Sequence, residues 1–262
     1  MVNYGGKGPK PTTHVQKVAL VIAHVCAVVS VILVSRWANG TGEGFLGGLD
    51  WGDKNLVFNY HPVLMVTAFV FSFTEALLVY RTFPFSKRVN KSIHLGLQTL
   101  AVILASVGLR AVFKNHQETN KADLWSLHSW LGLAVFILFL INYTVGVGAF
   151  FFQLAPLPLR ASILPYHVLV GITLYLAAIF TAQTGIVEKL ALSGKCTAHY
   201  PPTEGGVHYS LLNDGCRLAN WMGLVLFLTA LAGALAVLPA QHTREGGRGG
   251  RGSSEVLLET GV

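Results

Sequence analysis

Four histidines lie near the ends of four successive apolar segments and are the residues best placed for chemistry: His61, His94, His128 and His167. An imidazole inside a lipid bilayer is unfavourable unless it is hydrogen-bonded, paired or bound to a metal ion. Four such residues, one in each segment and at alternating ends, suggest two stacked pairs of metal ligands. Two haem groups with two histidine ligands each would satisfy all four.

The order of the segments decides which histidines can pair. If successive helices cross the membrane in opposite directions, His61 and His128 lie near one face, and His94 and His167 lie near the other. Helices of about twenty residues are about 30 Å long, so the two pairs form separate layers with room for one macrocycle each. Two histidine ligands leave no axial position for oxygen, which favours electron transfer across the bilayer.

The composition indicates that the segments carrying these histidines span a membrane. The chain has 262 residues, of which 52% are hydrophobic and 12% are charged, and a soluble domain typically has about twice that charged fraction. The predicted fold is therefore all-α, a bundle of six transmembrane helices whose second to fifth members form a four-helix haem-binding core. We expect a disordered cytosolic N-terminus at 1–16, the membrane domain at 17–239 and a disordered cytosolic tail at 240–262. The six apolar runs, each near the roughly 20 residues that cross a bilayer, are 18–35, 57–80, 95–113, 124–152, 164–187 and 218–239.

Charge and cysteine placement favour a cytosolic location for both termini. With the N-terminus inside, eleven of the 19 Lys and Arg residues fall in cytosolic segments, four of them between 81 and 91, as the positive-inside rule expects. Cys196 and Cys216 then lie in the non-cytosolic loop before the last helix, where disulfides persist, and the sequence leaves a disulfide and two free thiols equally open. The net charge of +7 does not indicate nucleic-acid binding, because the arginines of the Gly-rich tail suit a disordered segment.

The sequence around the histidines resembles the cytochrome b561 family over about residues 50–235. The resemblance is carried by NYHPVLM (59–65), LVYR (78–81), KSIH (91–94), SLHSW (126–130) and PYH (165–167). It implies a transmembrane ascorbate-dependent oxidoreductase with two haems b, commonly a homodimer, which reduces monodehydroascorbate or ferric iron outside the cytosol. VFKNH (112–116) and APLPLRA (155–161) look most like the duodenal and lysosomal ferric reductases, so plasma, endosomal, lysosomal or vesicle membranes are the expected location.

The resemblance also implies roles for side chains at the cytosolic face. Lys87, Lys91 and Arg160 match residues that hold ascorbate, and Arg81 matches one near the inner haem. Ascorbate is an anion at neutral pH and needs cations near a haem edge. Lys87 and Lys91 are four residues apart and share a helix face just before His94. The alternative is that these residues are only the positive charges of cytosolic loops.

The outer face carries a second implied site. Asn115 and His116 match residues that line the outer substrate site, where His116 could bind substrate iron or accept a proton. Trp125 stands where relatives often have tyrosine, which puts a phenolic role there in doubt. Arg110, near the outer end of the third helix, could pair with a haem propionate or extend to the membrane interface.

Two further residues, Glu75 and His24, lie within the predicted membrane helices, and two other functions are considered. Glu75 is expected to interact with the basic inner loop or to handle protons, and His24 is expected to be structural, since the sixth helix has no matching histidine. The main alternative function is a proton- or divalent-metal-coupled transporter that uses intramembrane His and Glu, with Zn²⁺ collected outside by His116, His199 and His208. A structural membrane scaffold would leave the four paired histidines unexplained.

Overall fold

Six helices long and apolar enough to span a membrane make up most of the structure, a computed structural model that describes residues 13–194, 196 and 212–237. The described residues contain no strand, so the all-α class and the six spanning helices are confirmed. His199, His208 and most of the predicted tails lie outside the described residues. Within the predicted N-terminal tail at 1–16, the first helix already begins at His14. The helices are α1 (His14–Asn39), α2 (Val57–Thr82), α3 (Lys87–Thr119), α4 (Leu127–Phe151), α5 (Leu157–Ser193) and α6 (Asp214–Val237).

Two of the helices are much longer than their apolar runs. α3 has 33 residues and α5 has 37, so at 1.5 Å per residue they are about 50 and 55 Å long and extend beyond a 30 Å hydrocarbon core. The side chain of Ser86 accepts a hydrogen bond from the Val89 amide and caps the start of α3. α5 ends at Gly194, whose φ of +63° suits a residue without a side chain. Lys87, Lys91 and Lys189 therefore lie on helices rather than in loops.

The first and sixth helices pack along each other outside the histidine-bearing bundle. The buried face of α1 carries Ala19, Ala23, Ala27 and Ser30, and α6 presents a matching face that includes Ala232 and Gly233. Small side chains let two helix backbones approach closely, which is how membrane helices associate without a hydrophobic driving force. The resulting pair also contacts α2, so it covers one side of the core.

The remaining helices form two neighbouring pairs, α2 with α3 and α4 with α5. Between the levels of the histidines, their interface is filled by aromatic rings. The ring centroid of Phe139 is 5.2 Å from that of Phe69 and 5.5 Å from that of Phe73, which in turn is 5.7 Å from Tyr175. α2 includes a π-helical segment, Thr67–Ser72, within this stretch.

The loop between α1 and α2 closes the end of the bundle that is predicted to be non-cytosolic. Cys196 and Cys216 form a disulfide with a Cα–Cα distance of 5.7 Å, which settles the alternative that the sequence left open. The indole of Trp37 donates to the Gly44 carbonyl at 2.8 Å. A Cβ at Gly215 would lie 2.1 Å from the backbone carbon of Gly44, so this contact requires glycine.

We predict that Gly215→Ala destabilises the protein by about 1–3 kcal/mol, the usual effect of forcing extra atoms into a packed contact. The clash is with backbone atoms of the loop, which cannot rotate away as a side chain can. Thermal unfolding of the purified protein measures the effect as a lower midpoint. The control is Gly96→Ala, since a Cβ there meets nothing within 4 Å. Equal midpoints for the two variants would contradict the tight contact.

Candidate functional site

The four histidines lie in two layers, as their order in the sequence predicts. His61 of α2 and His128 of α4 form the outer layer, with ring centroids 6.1 Å apart and an interplanar angle of 88°. His94 of α3 and His167 of α5 form the inner layer, with centroids 6.5 Å apart and an angle of 68°. The names outer and inner follow the predicted orientation, with the inner layer towards the cytosol.

Backbone carbonyls of neighbouring helices orient three of the four rings. The Nδ1 atom of His61 is 3.1 Å from the Gly108 carbonyl oxygen, and that of His94 is 2.8 Å from the Ala76 carbonyl oxygen. A carbonyl oxygen can only accept, so each Nδ1 carries the proton and Nε2 keeps its lone pair. This is the arrangement in which the environment of a metal-binding histidine fixes its tautomer. His128 likewise bonds the Thr181 carbonyl at 2.9 Å.

The fourth ring is held differently. Nδ1 of His167 is buried and has no hydrogen-bond partner among the described residues. Its ring packs instead against Phe150, with centroids 5.2 Å apart. A buried ring nitrogen without a hydrogen bond is costly, so His167 lacks the stabilising contact that orients the other three rings.

Two glycines make room for the rings of α4 and α5. A Cβ at Gly185 of α5 would lie 2.6 Å from Cε1 of His128, and one at Gly146 of α4 would lie 2.8 Å from Cε1 of His167. Each of these two helices thus carries one histidine of its own and a glycine that leaves room for the histidine of the other helix. Histidine and glycine are 18 residues apart in both helices, which is about five turns, so both lie on the same face. This repeated spacing is a signal that our sequence interpretation missed.

The spacing of the rings matches two ligands of one metal ion. An imidazole nitrogen bonds a metal ion at about 2 Å. The ring centre lies roughly 1 Å further along the same line, so two opposed rings should have centroids about 6 Å apart. Both layers meet this distance, and neutral imidazole pairs are the donor set that haem iron accepts.

A cavity of about 640 Å³ adjoins the outer layer. Both outer histidines line it, as do Asn115 and His116, so the structure brings the predicted outer residues to one site. His116 Nδ1 is 2.8 Å from an Asp123 carboxylate oxygen. Asn115 is buried, and its amide donates to the Lys54 carbonyl at 2.7 Å, which ties the loop before α2 to α3.

Lys189 is a cavity residue that our sequence interpretation missed because it was assigned to a loop. Its ammonium nitrogen is 4.3 Å from the ring centroid of Phe58, a cation–π contact at the outer layer. Arg110 and Trp125 are both exposed, and Trp125 lines the cavity.

The predicted cytosolic cations converge beside the inner layer. Lys91 interacts electrostatically with both Lys87 and Arg160, although they come from different helices. Lys91 Nζ donates to the Phe150 carbonyl at 3.0 Å, and the Phe150 ring contacts His167. The Nε atom of Arg160 is buried without a hydrogen-bond partner among the described residues. Three cations without a carboxylate among their described contacts form a site suited to an anion.

Arg81 follows Tyr80, whose ring contacts the inner layer. Its guanidinium donates to the carbonyl of Val237, at the end of α6, at 3.4 Å. The neighbouring Tyr80 packs against His94, with ring centroids 5.8 Å apart. Tyr80, and not Arg81, therefore contacts the inner layer directly in the structure. The expected closeness of Arg81 to a haem stays a prediction.

Comparison with known proteins identifies the family. Residues 60–193 match the family described as eukaryotic cytochrome b561. The chain is 36% identical over 227 residues to the transmembrane ascorbate-dependent reductase CYB561 of Sus scrofa, covering 86% of this chain and 83% of that protein. It is 40% identical over 190 residues to the plasma membrane ascorbate-dependent reductase CYBRD1 of Mus musculus, covering 71% and 64%. It is 39% identical over 171 residues to transmembrane ascorbate ferrireductase 1 of Arabidopsis thaliana, covering 64% and 70%.

The histidine layers and these matches define an integral membrane oxidoreductase that binds b-type haem. The chain belongs to the cytochrome b561 family.

We predict that Gly185→Ala and Gly146→Ala each lower the haem bound per chain. The added methyl group would displace His128 in the first variant and His167 in the second, while alanine by itself favours a helix. Haem per chain is measured from the pyridine haemochrome spectrum of the purified protein. Gly96→Ala is the matched control. Full haem content in both variants would show that the rings are not held where the glycines leave room.

Proposed function

We propose that the protein transfers electrons from cytosolic ascorbate, through two haems b, to an acceptor on the non-cytosolic side. The observation that carries the proposal is the pair of histidine layers, each with the ring spacing of two axial ligands. His61 with His128 and His94 with His167 would each hold one haem, whose iron accepts and donates one electron. The names of the three relatives above support ascorbate as the donor.

The inner face supplies the donor site. Lys87, Lys91 and Arg160 form a cluster of cations from α3 and α5 that attracts the ascorbate anion. Lys91 bonds the carbonyl of Phe150, and the ring of Phe150 contacts His167, so Phe150 links the cluster to the inner layer. Ascorbate held there would lie against the edge of the inner site, where an electron has the shortest path into the bundle.

The outer face supplies the acceptor site. Asn115 and His116 share a cavity with His61 and His128, so an acceptor bound there would lie next to the outer haem. Asp123 bonds Nδ1 of His116 and thereby leaves Nε2 for substrate. A ferric chelate or monodehydroascorbate is the proposed acceptor, and the plant relative named a ferrireductase supports the first.

The orientation, oligomeric state and location complete the proposal. We infer that both termini lie in the cytosol, so the membrane potential favours outward electron flow by about 2.3 kcal/mol per 100 mV for a full crossing. A homodimer in the plasma membrane or in an endosomal, lysosomal or vesicle membrane is proposed, and the mouse relative is named for the plasma membrane. The transporter alternative is not favoured by any relative reported above.

The spectrum of the purified protein tests the proposal. We expect two haems b per chain, reduced on addition of ascorbate with a sharp α-band in the visible spectrum. His61→Ala and His94→Ala should each remove one haem, from the outer and inner layers respectively. A colourless protein, or single variants that lose both haems or neither, would contradict the two-layer assignment.

The cation cluster predicts a specific kinetic effect. Arg160→Gln should raise the KM for ascorbate by about 10- to 100-fold, because a hydrogen bond to a charged group is worth about 1.5–3 kcal/mol. Haem reduction by a neutral electron donor should not change. Arg88→Gln is the control, since Arg88 is exposed on the same cytosolic end of α3 as Lys87. An equal rise in the KM for ascorbate in both variants would show that the cluster acts only through general surface charge.

A further inference from the structure

A histidine–glutamate pair lies inside the cytosolic half of the bundle, apart from both histidine layers. Nδ1 of His24 on α1 is 2.9 Å from each carboxylate oxygen of Glu75 on α2. Glu75 precedes Thr82, the last residue of α2, by about two helical turns or 10 Å. The predicted contact of Glu75 with the basic inner loop is therefore replaced by a contact with α1. Ionisable residues at this depth are rare and usually functional.

The hydrogen bonds of the pair favour one proton shared between the imidazole and the carboxylate. The Thr82 hydroxyl donates to the Leu78 carbonyl, so its oxygen accepts from Nε2 of His24, 3.0 Å away. Nδ1 then either donates to a carboxylate as part of an imidazolium, or accepts from a protonated carboxyl group. Both descriptions have the same composition and no net charge. Loss of the shared proton would leave a negative charge within the membrane.

The same turn of α2 connects the pair to the inner layer. Ala76 follows Glu75 directly, and its carbonyl accepts the hydrogen bond from Nδ1 of His94. Glu75 is therefore one residue along α2 from the backbone group that orients His94, the histidine that would bind the inner haem. Because charges interact strongly in a low dielectric, an added electron at that layer favours the proton-carrying state of the pair.

The imidazole of His24 bridges the carboxylate to the cytosolic end of the helix. One ring nitrogen contacts Glu75, and the other contacts the Thr82 hydroxyl, at an exposed position where α2 ends. An imidazole with a partner on each nitrogen can take a proton on one side and release it on the other. The three residues thus form a continuous path from the surface to the half-buried carboxylate.

Few other titratable groups face the pair. Tyr175 of α5 interacts electrostatically with Glu75 and with Cys26 of α1. His94 is the nearest such group on α3, through Ala76, and α6 carries no titratable side chain from 219 to 237. Arg81, further along α2, bonds α6 instead. Among the described residues, His24 is therefore the ion-pair partner of Glu75.

We propose that His24 and Glu75 form a proton-loading site coupled to the inner layer. The pair loses the shared proton when the inner layer is oxidised, and it takes that proton up again from cytosolic water, through Thr82, when an electron from the donor reaches the inner layer. It returns the proton along the same path when the electron moves to the outer layer. Only O–H and N–H bonds form and break, and the electron gained by the inner layer balances the proton gained by the pair. The inference rests on the proposed function, because it requires a redox group at that layer.

Redox titration of the purified holoprotein at an electrode, at several pH values, tests this coupling. We expect the potential of the inner haem to fall with pH in the wild type, approaching one proton per electron. Glu75→Gln and His24→Gln should abolish most of this slope. Glu43→Gln, which changes an exposed carboxylate in the loop before α2, should keep it. The reduced-minus-oxidised infrared spectrum should contain a carboxyl band that Glu75→Gln lacks.

Thr82→Val provides a second test that leaves the pair intact. The isosteric change should slow proton uptake after rapid reduction several-fold without changing the equilibrium slope. A red, ascorbate-reducible protein whose slope and infrared band survive Glu75→Gln would overturn this inference alone. A colourless protein would overturn the proposed function together with it.

Discussion

Much of the structure follows from one constraint, that a ring nitrogen of a histidine inside a bilayer is costly unless it has a partner. For His61, His94 and His128 a carbonyl of the paired helix satisfies Nδ1, and Nε2 is left for a metal ion. Each of these rings is therefore oriented by a carbonyl of the neighbouring helix and faces the paired histidine on another helix. These hydrogen bonds lie within the two helix pairs, α2 with α3 and α4 with α5. The constraint also explains why Gly146 and Gly185 stand where the rings need space.

The sequence predicted the parts of the site that depend on order and period, and it missed those that depend on which helices are neighbours. The alternation of the four histidines was sufficient to pair them, and the spacing of Lys87 and Lys91 was sufficient to place them on one face. The carbonyls of Gly108, Ala76 and Thr181 have no sequence signature, because every residue has one. His24 was assigned a structural role because its partner was sought as a histidine on the sixth helix, whereas its partner is a carboxylate on α2.

The two ends of the bundle differ in a way that suits directional transfer. At the inner end three cations meet beside Phe150 and the inner layer, which favours an anionic donor. At the outer end the cavity holds an acid–histidine pair, His116 with Asp123, and a lysine over Phe58. Such a mixed environment can bind a chelated metal ion or an organic radical. The difference in charge thus favours ascorbate inside and leaves the outer acceptor less restricted.

The aromatic core separates the paths of electron and proton. Phe69, Phe73 and Phe139 fill the space between the layers with apolar rings. Glu75 follows Phe73 along α2 and therefore lies on the cytosolic side of this core, with Thr82 as its link to the surface. In the proposed function, a proton taken up there returns to the cytosol through Thr82, while the electron continues outward. Charge then crosses the membrane without compensation, so each transfer draws on the membrane potential.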